Sequence, residues 1–392
     1  MSAALAASEA ALAAELAVKE AAAAEERLLL SALTSGAPQS FVDLVHLVRR
    51  PRLSRDDPGE SPAMMATVRD ALLAAEHGRQ AGDLRAAGAS FARVGDLYAG
   101  SGQHRLAVFF LAKSLALARA AGDSSAEMQA LHAMGLSREA LGDLDEAVEL
   151  HCARLALAPR ATAEADGGAA LRLSAAALVR VYGMQARIAE AQKAAGDSLR
   201  LFELALDAAR QSADAAAEAR ANYDVGRACV IAGRAAAGLP FLETFLRLSQ
   251  SVPELRGNVC QALAALAAAH QAVGAWAAVE ANLLRLLDVA VETGDAAAQA
   301  EASEQIGIMF AQQGRVADSE PHLTKAFELR RAMVAKGACP RAALDKVRIL
   351  LGMVSGDARL SPLFSSIAHV DVHGLLMWKA VREGMSERAA AE

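Results

Sequence analysis

Residues 121–135 read AGDSSAEMQALHAMG, an Asp twelve positions ahead of a Gly with little reactive chemistry between them. The phrase recurs as AGDLRAAGASFARVG at 81–95, SADAAAEARANYDVG at 212–226 and TGDAAAQAEASEQIG at 293–307. Asp83, Asp123, Asp214 and Asp295 thus stand twelve residues before Gly95, Gly135, Gly226 and Gly307. The intervals between the Asp residues are 40, 91 and 81, close to one, two and two units of about 40. Recurrence at such a period reports repeated architecture rather than an active-site loop.

Composition agrees. The chain has 392 residues, too many for one ordinary core but suited to a stacked array. It is 54% hydrophobic but 4% aromatic, with Ala and Leu dominant, which favours close-packed helices over sheet. A net charge of −6 with both signs interspersed offers no basic stripe for nucleic acid or for an anionic membrane. Cys152, Cys229, Cys260 and Cys339 lie far apart with no C-x-x-C, so neither a disulfide framework nor a zinc site is expected, and a reducing, cytoplasmic setting fits. The opening MSAALAASEAALAAELAVKE lacks a basic n-region and is interrupted by Glu9, Glu15, Lys19 and Glu20, so it reads as neither signal peptide nor membrane span.

Along the chain, 1–33 reads as an Ala/Glu-rich helix that buries little by itself. The stretch 34–62 holds the amphipathic SFVDLVHLVRR and a linker rich in Pro, Gly and charge. Residues 63–337 form the array. With Gly88 as position 1, the first unit places Phe91, Gly95, Tyr98, Ala107 and Leu111 at positions 4, 8, 11, 20 and 24. This resembles the tetratricopeptide repeat, an antiparallel helix pair with small residues at 8 and 20 and large ones at 4, 11 and 24. Gly95, Gly135, Gly226 and Gly307, with Ala107 and Ala147, are the expected packing residues, because small side chains let the two helices of a unit approach. The turn glycines Gly102, Gly142, Gly233, Gly274 and Gly314 are spaced 40, 91, 41 and 40, so the long gap hides a third unit. Its first helix, LRLSAAALVRVYGMQARIAEAQKAAG, is lengthened by about ten residues, and six units are expected. The fold implied is an all-α solenoid, a right-handed superhelix of antiparallel helix pairs with an N-terminal helical arm. In 338–392 a terminal helix, a loop at ARLSPLFSSI and a last helix from HVDVH onward are expected to cap the array.

Signatures of catalysis are missing. No G-x-x-x-x-G-K-[ST], G-x-G-x-x-G or G-x-S-x-G occurs, so no enzyme, cofactor or small-molecule substrate is expected. GDLDEAVE at 142–149 clusters acids but has Ala147 where a calcium loop needs Gly, and reads as a helix N-terminus. His369 and His373 have the i, i+4 spacing of zinc ligands on one helix face, yet no third ligand accompanies them. Arg50-Pro-Arg-Leu-Ser54 has the look of a basophilic kinase site in a linker, or of a solvated charge run.

The concave face of the array is where partners are expected, through positions 2, 5, 9, 12 and 13 of each first helix. Those positions hold Gln129, His132 and Glu139; Arg220, Tyr223 and Arg227; Gln261 and Gln271; Glu301, Glu304 and Gln312. Arg220 and Arg227 flanking Tyr223 suit an acidic or aromatic peptide segment, or else form an ordinary solvated face. Chaperone-binding repeats carry a Lys and Asn pair at positions 5 and 9 to hold a C-terminal carboxylate. Here those positions read Ala92/Asp96, His132/Leu136, Tyr223/Arg227, Ala264/Ala268 and Glu304/Ile308, so that clamp is absent.

Three segments resemble the tetratricopeptide repeat protein 29 family of ciliary and flagellar axonemes. They are the leader SFVDLVHLVRR, the long third unit with ELALDAARQSADAAAEARANYDVGRA after it, and the tail helices DKVRILLGMVSG and HGLLMWKAVREG. Leu375, Leu376, Trp378, Lys379 and Gly384 carry the tail match, which makes Trp378 a candidate C-terminal contact. The resemblance implies a non-catalytic adaptor of the axoneme, with dynein-arm or intraflagellar-transport proteins as partners. The Ala-rich first 30 residues depart from that pattern, as do the many aromatics replaced by Ala.

Overall fold

In the computed structural model, residues 26–50, 61–157 and 164–389 are described. Most of the expected N-terminal arm and the Arg50–Ser54 motif beyond Arg50 lie outside them. The chain divides into two compact units: Met1–Ala191 with Leu204–Asp214, and Gln192–Glu203 with Ala215–Glu392.

In the first unit, a helical segment α1 (26–34) and the leader helix α2 (Pro38–Arg49) precede α3 (Pro62–Gln80). Helix pairs α4 (Leu84–Gly100) with α5 (His104–Ala121) and α6 (Ser124–Leu141) with α7 (Leu144–Leu157) follow, then α8 (Glu164–Ala191). From α2 to α8 each helix packs on the next in sequence. Tyr98 is fully buried and stacks on Phe110 at 5.8 Å, within a core that includes Leu44, Leu72, Val94 and Leu131. The leader is pinned to this core by polar contacts as well. Ser40 donates from its backbone N–H and its hydroxyl to Glu76 at 2.7 Å each, and Lys113 donates to Asp43 at 2.8 Å. Burial pushes the Glu76 carboxyl up, but the hydrogen bonds from Ser40 and Gln39 prevail and hold it below the usual range.

The Asp-to-Gly spacing has a local cause at each end. Asp83, Asp123 and Asp295 are N-caps whose side chains accept from Ala86, Ala126 and from Ala297 and Ala298, satisfying first-turn N–H groups that lack helical partners. Gly122, just ahead of Asp123, ends α5 with φ at 63°, a backbone that favours glycine. At the other end of the spacing, a Cβ on Gly95 would lie 2.6 Å from Leu111 Cγ, and one on Gly135 would lie 2.5 Å from the His151 ring. In the second unit, a Cβ on Gly226 would lie 2.5 Å from Leu242 and one on Gly307 2.6 Å from Leu323. The first helix of each of these pairs therefore touches the second at a glycine, sixteen residues ahead of the side chain it meets. Ala107 and Ala147 are fully buried in the same interfaces.

The second unit holds α10 (Ala215–Ile231), α11 (Ala235–Ser251), a 3-10 turn at Pro253–Asn258, α12 (Val259–Val273) and α13 (Trp276–Glu292). Helices α14 (Ala296–Gln312), α15 (Val316–Ala335), α16 (Arg341–Ala368) and α17 (Val372–Ala389) complete it. Helix α9 (Ala195–Ser212) contributes residues to both units. The core of the second unit is built from Leu263, Val279, Leu283, Ile306 and Phe310, with a smaller cluster around Phe245.

Three expectations need correction. The stretch 171–196 is not one helix: α8 ends at Ala191 and the chain turns at Lys193, whose φ is 61°. That is seven residues after Ala186, the interval from Gly95 to Gly102, so Lys193 stands in the turn where other pairs have glycine. Extra length in the third pair lies at the N-terminal end of α8, which has 28 residues against 17 in α4 and in α10. ARLSPLFSSI is not a loop: α16 runs through it for 28 residues with Pro362 inside. Nor do His369 and His373 share a helix face, since His369 is the C-cap of α16 and Val370 turns the chain with φ at 53° before α17 begins.

Candidate functional site

The second unit contains a cavity of about 180 Å³ between neighbouring first helices. Its floor is Ala264, Ala267 and Ala268 of α12 with Val279, Leu283 and Leu286 of α13. The far wall is Ile308 and Met309 of α14, and Gln271, Glu301 and Gln305 supply the polar edge. Size decides its use. Pockets for metabolites run from about 300 to 1,000 Å³, whereas this one has room for a single apolar side chain. Small residues make it: Ala264 and Ala268 sit at positions 5 and 9, where larger side chains would fill the space. Gln and Glu on the rim can pair with the backbone amides of an inserted segment, so the arrangement is a side-chain socket with hydrogen-bonding shoulders.

Among the groove residues expected from sequence, Gln271 and Glu301 meet in this socket. Gln261 and Gln312 are exposed on α12 and α14, and neither lines it. Glu304 is elsewhere in character. It is 2% exposed and holds Arg330 of α15 at 2.6 Å and Lys346 of α16 at 2.7 Å, so it ties three helices together instead of facing a ligand. On α10, Arg220 is exposed, while Tyr223 and Arg227 are half-buried. Tyr223 spends its ring on Phe245 of α11, with centroids 5.2 Å apart. Trp378 on α17 is half-buried beside the exposed Leu376 and Met377. Gln305 and Met309 lie outside the groove positions counted from sequence, and Ile308 stands there at position 9. Their signal was present in Ala264/Ala268, taken only as a missing clamp and not as an opening.

In the first unit Gln129 is exposed, but His132 points into a buried polar cluster. His151 occupies the position filled by Leu111, Leu242 and Leu323 in other pairs and is fully buried. One of its ring nitrogens, Nε2, lies 2.8 Å from Glu139, which Arg180 of α8 grips with two donors at 2.7 and 2.8 Å. The His132 and His151 rings are 5.9 Å apart. Burial, then the charge of Arg154 and the neighbouring His151 and Arg180, push His132 down to about 4. For Glu139 burial acts upward, but the hydrogen bonds from His151 and Arg180 prevail and lower it. The cluster is a polar lock across α6, α7 and α8.

No family model matches the chain, and no curated protein matches it. Solved structures do. The C-terminal part of a TPR repeat-containing protein from Cytophaga hutchinsonii aligns over 71% of this chain and 98% of its own length, at 13% identity and a TM-score of 0.44. The apo form of RapI aligns over 86% and 98%, at 9% identity and a TM-score of 0.39. BtubC (BKLC) from P. vanneervenii aligns over 59% and 93%, at 15% identity and a TM-score of 0.35. Likeness at these TM-scores carries no argument about this chain, and the fold rests on the repeated helix geometry itself. Over its described residues the chain is all α-helical, built of tetratricopeptide-like helix pairs.

Proposed function

We propose that this protein is a non-catalytic scaffold that holds partner proteins, with the α12–α14 socket receiving one apolar side chain of an extended partner segment. The observation that carries this reading is the socket: an alanine floor, room for one side chain, and amide and carboxylate groups at the edge. Partner binding by such a face spreads over a long contact with few chemical specifics. Ala268→Leu fills the socket from its floor without touching the turn or the caps. Capture of partners from the native cell type, quantified by mass spectrometry, is expected to fall at least tenfold for a subset of them while thermal unfolding stays unchanged. An identical partner list for the variant sinks the socket reading.

We propose further that the setting is the axoneme of a motile cilium or flagellum, where the chain links dynein-arm or transport proteins. The support is the resemblance of the leader, the long third unit and the L-L-x-W-K tail, in that order. Ser40 and Asp43 of the leader help fasten it to the array, through Glu76 and Lys113. The cytosolic alternative is a peptide-binding adaptor with no link to cilia. Demembranated axonemes separate the two: retention of the protein after detergent extraction supports the axonemal setting, and full release removes it.

A further inference from the structure

Helix α16 has two faces. Val347 and Val354 are buried, and the helix packs on α15. At 100° per residue, the opposite side carries Ile349, Met353, Gly356, Leu360, Phe364 and Ile367 within one arc. The five apolar side chains of that arc are 59%, 63%, 43%, 62% and 53% exposed. Val372, Leu376 and Met377 of α17 are exposed as well, at 55% or more. At on the order of 100 Å² each, these residues exceed the 300–600 Å² of the largest apolar patch on an ordinary monomer and reach the ~800 Å² a side of a standard interface.

The spacing says what covers the patch. From Ile349 the stripe steps four residues to Met353, seven to Leu360 and four to Phe364, so its stretch from 349 to 364 reads the same in both directions, with Ile367 beyond it. Its midpoint falls at Gly356-Asp357. A two-fold interface requires that symmetry, because residue i must face j while j faces i. An antiparallel pair of α16 helices sets Ile349 of one copy against Phe364 of the other, and Met353 against Leu360. A partner helix of different sequence has no need of a stripe that is its own mirror.

Glycine makes the second, independent point. Gly352 and Gly356 lie mid-helix, where glycine is disfavoured relative to Ala. A Cβ at either would meet no atom within 4 Å, so nothing inside the chain demands a missing side chain there. A second backbone passing close at the midpoint does demand it. We infer that two copies of this chain associate through an antiparallel α16–α16 contact that crosses at Gly356, with α17 flanking it.

Sedimentation velocity on the full chain tests this. The wild type is expected to be a dimer at tens of micromolar. Leu360→Asp with Phe364→Asp is expected to yield monomer with an unchanged far-UV helix spectrum. Gly356→Leu favours the helix in the monomer and blocks only the close crossing, so it is expected to weaken dimerisation at least tenfold even if the double variant folds poorly. Ile231→Asp, an exposed apolar residue on α10, serves as the control and is expected to leave the dimer intact. A monomeric wild type at 100 µM overturns the inference. So does a dimer indifferent to Gly356→Leu, or a monomer whose Phe364 surface captures a different protein.

Discussion

Ala213 and Lys193 hold backbone that glycine holds at comparable turns, with φ of 55° and 61°. Ala213 precedes Asp214 as Gly82, Gly122 and Gly294 precede their own Asp residues. A left-handed non-glycine residue costs about 1–2 kcal/mol, offset in part by the lower entropy of its unfolded chain. Ala213→Gly is therefore expected to stabilise by about 0.5–1 kcal/mol in urea titration, and a lower midpoint would contradict the strain. Gly226→Leu acts in the opposite sense. Leu242 is fully buried and already 2.5 Å from where the Cβ would go, so overpacking should destabilise by about 1–3 kcal/mol. Unchanged unfolding of that variant would break the packing register. At this scale the sequence was readable wherever Asp caps and Gly packs. It was silent at Lys193, because a residue forced into a glycine conformation looks like any other lysine.

Among the elements, the joint of α6, α7 and α8 is built from ionisable groups. His132 faces His151 and Arg154 of α7, Arg180 of α8 and Glu139 of its own helix. Its folded value of about 4 lies below the ordinary 6.5, so the folded state prefers the neutral ring. The stabilisation is complete above 6.5 and is lost as pH falls from there through about 4, which is the sign for a group whose folded pKa is depressed. Glu139, also depressed, works in the same direction at lower pH. Thermal unfolding is thus expected to fall between pH 6.5 and 4, and His132→Leu is expected to flatten that slope. An equal slope in the variant would remove His132 from the account. The helices themselves were legible from period and caps, but this lock was not. His151 reads as a departure from Leu until α8 brings Arg180 against the same carboxylate. The length of α16 was hidden for a related reason: Pro362 and three serines look like a loop, and the helix that carries them is visible only once its buried face has α15 to pack on.

For the whole molecule, two surfaces have different owners. The socket lies between α12 and α14, and the self-complementary stripe lies on α16. Ala268 stands on α12 and Phe364 on α16, and mutations without shared partners act independently. Ala268→Leu is expected to lose socket partners and keep the dimer, whereas Phe364→Asp is expected to lose the dimer and keep those partners. Sedimentation and partner capture on both variants check this, and loss of both properties in either one would mean the surfaces are coupled.

Periodicity, small residues at positions 8 and 20 and the N-caps Asp83, Asp123 and Asp295 are local properties, and the sequence by itself determined from them that the array is built of helix pairs. Local signals also excluded the familiar phosphate loops and nucleophile elbows. Tertiary structure alone decided which polar residues remain available to a partner. Glu304 and His132 occupy groove positions by count, yet one is closed off by Arg330 and Lys346 and the other by its neighbours across α7 and α8. Exposure depends on what the next helices bring, and no residue's own letter records that.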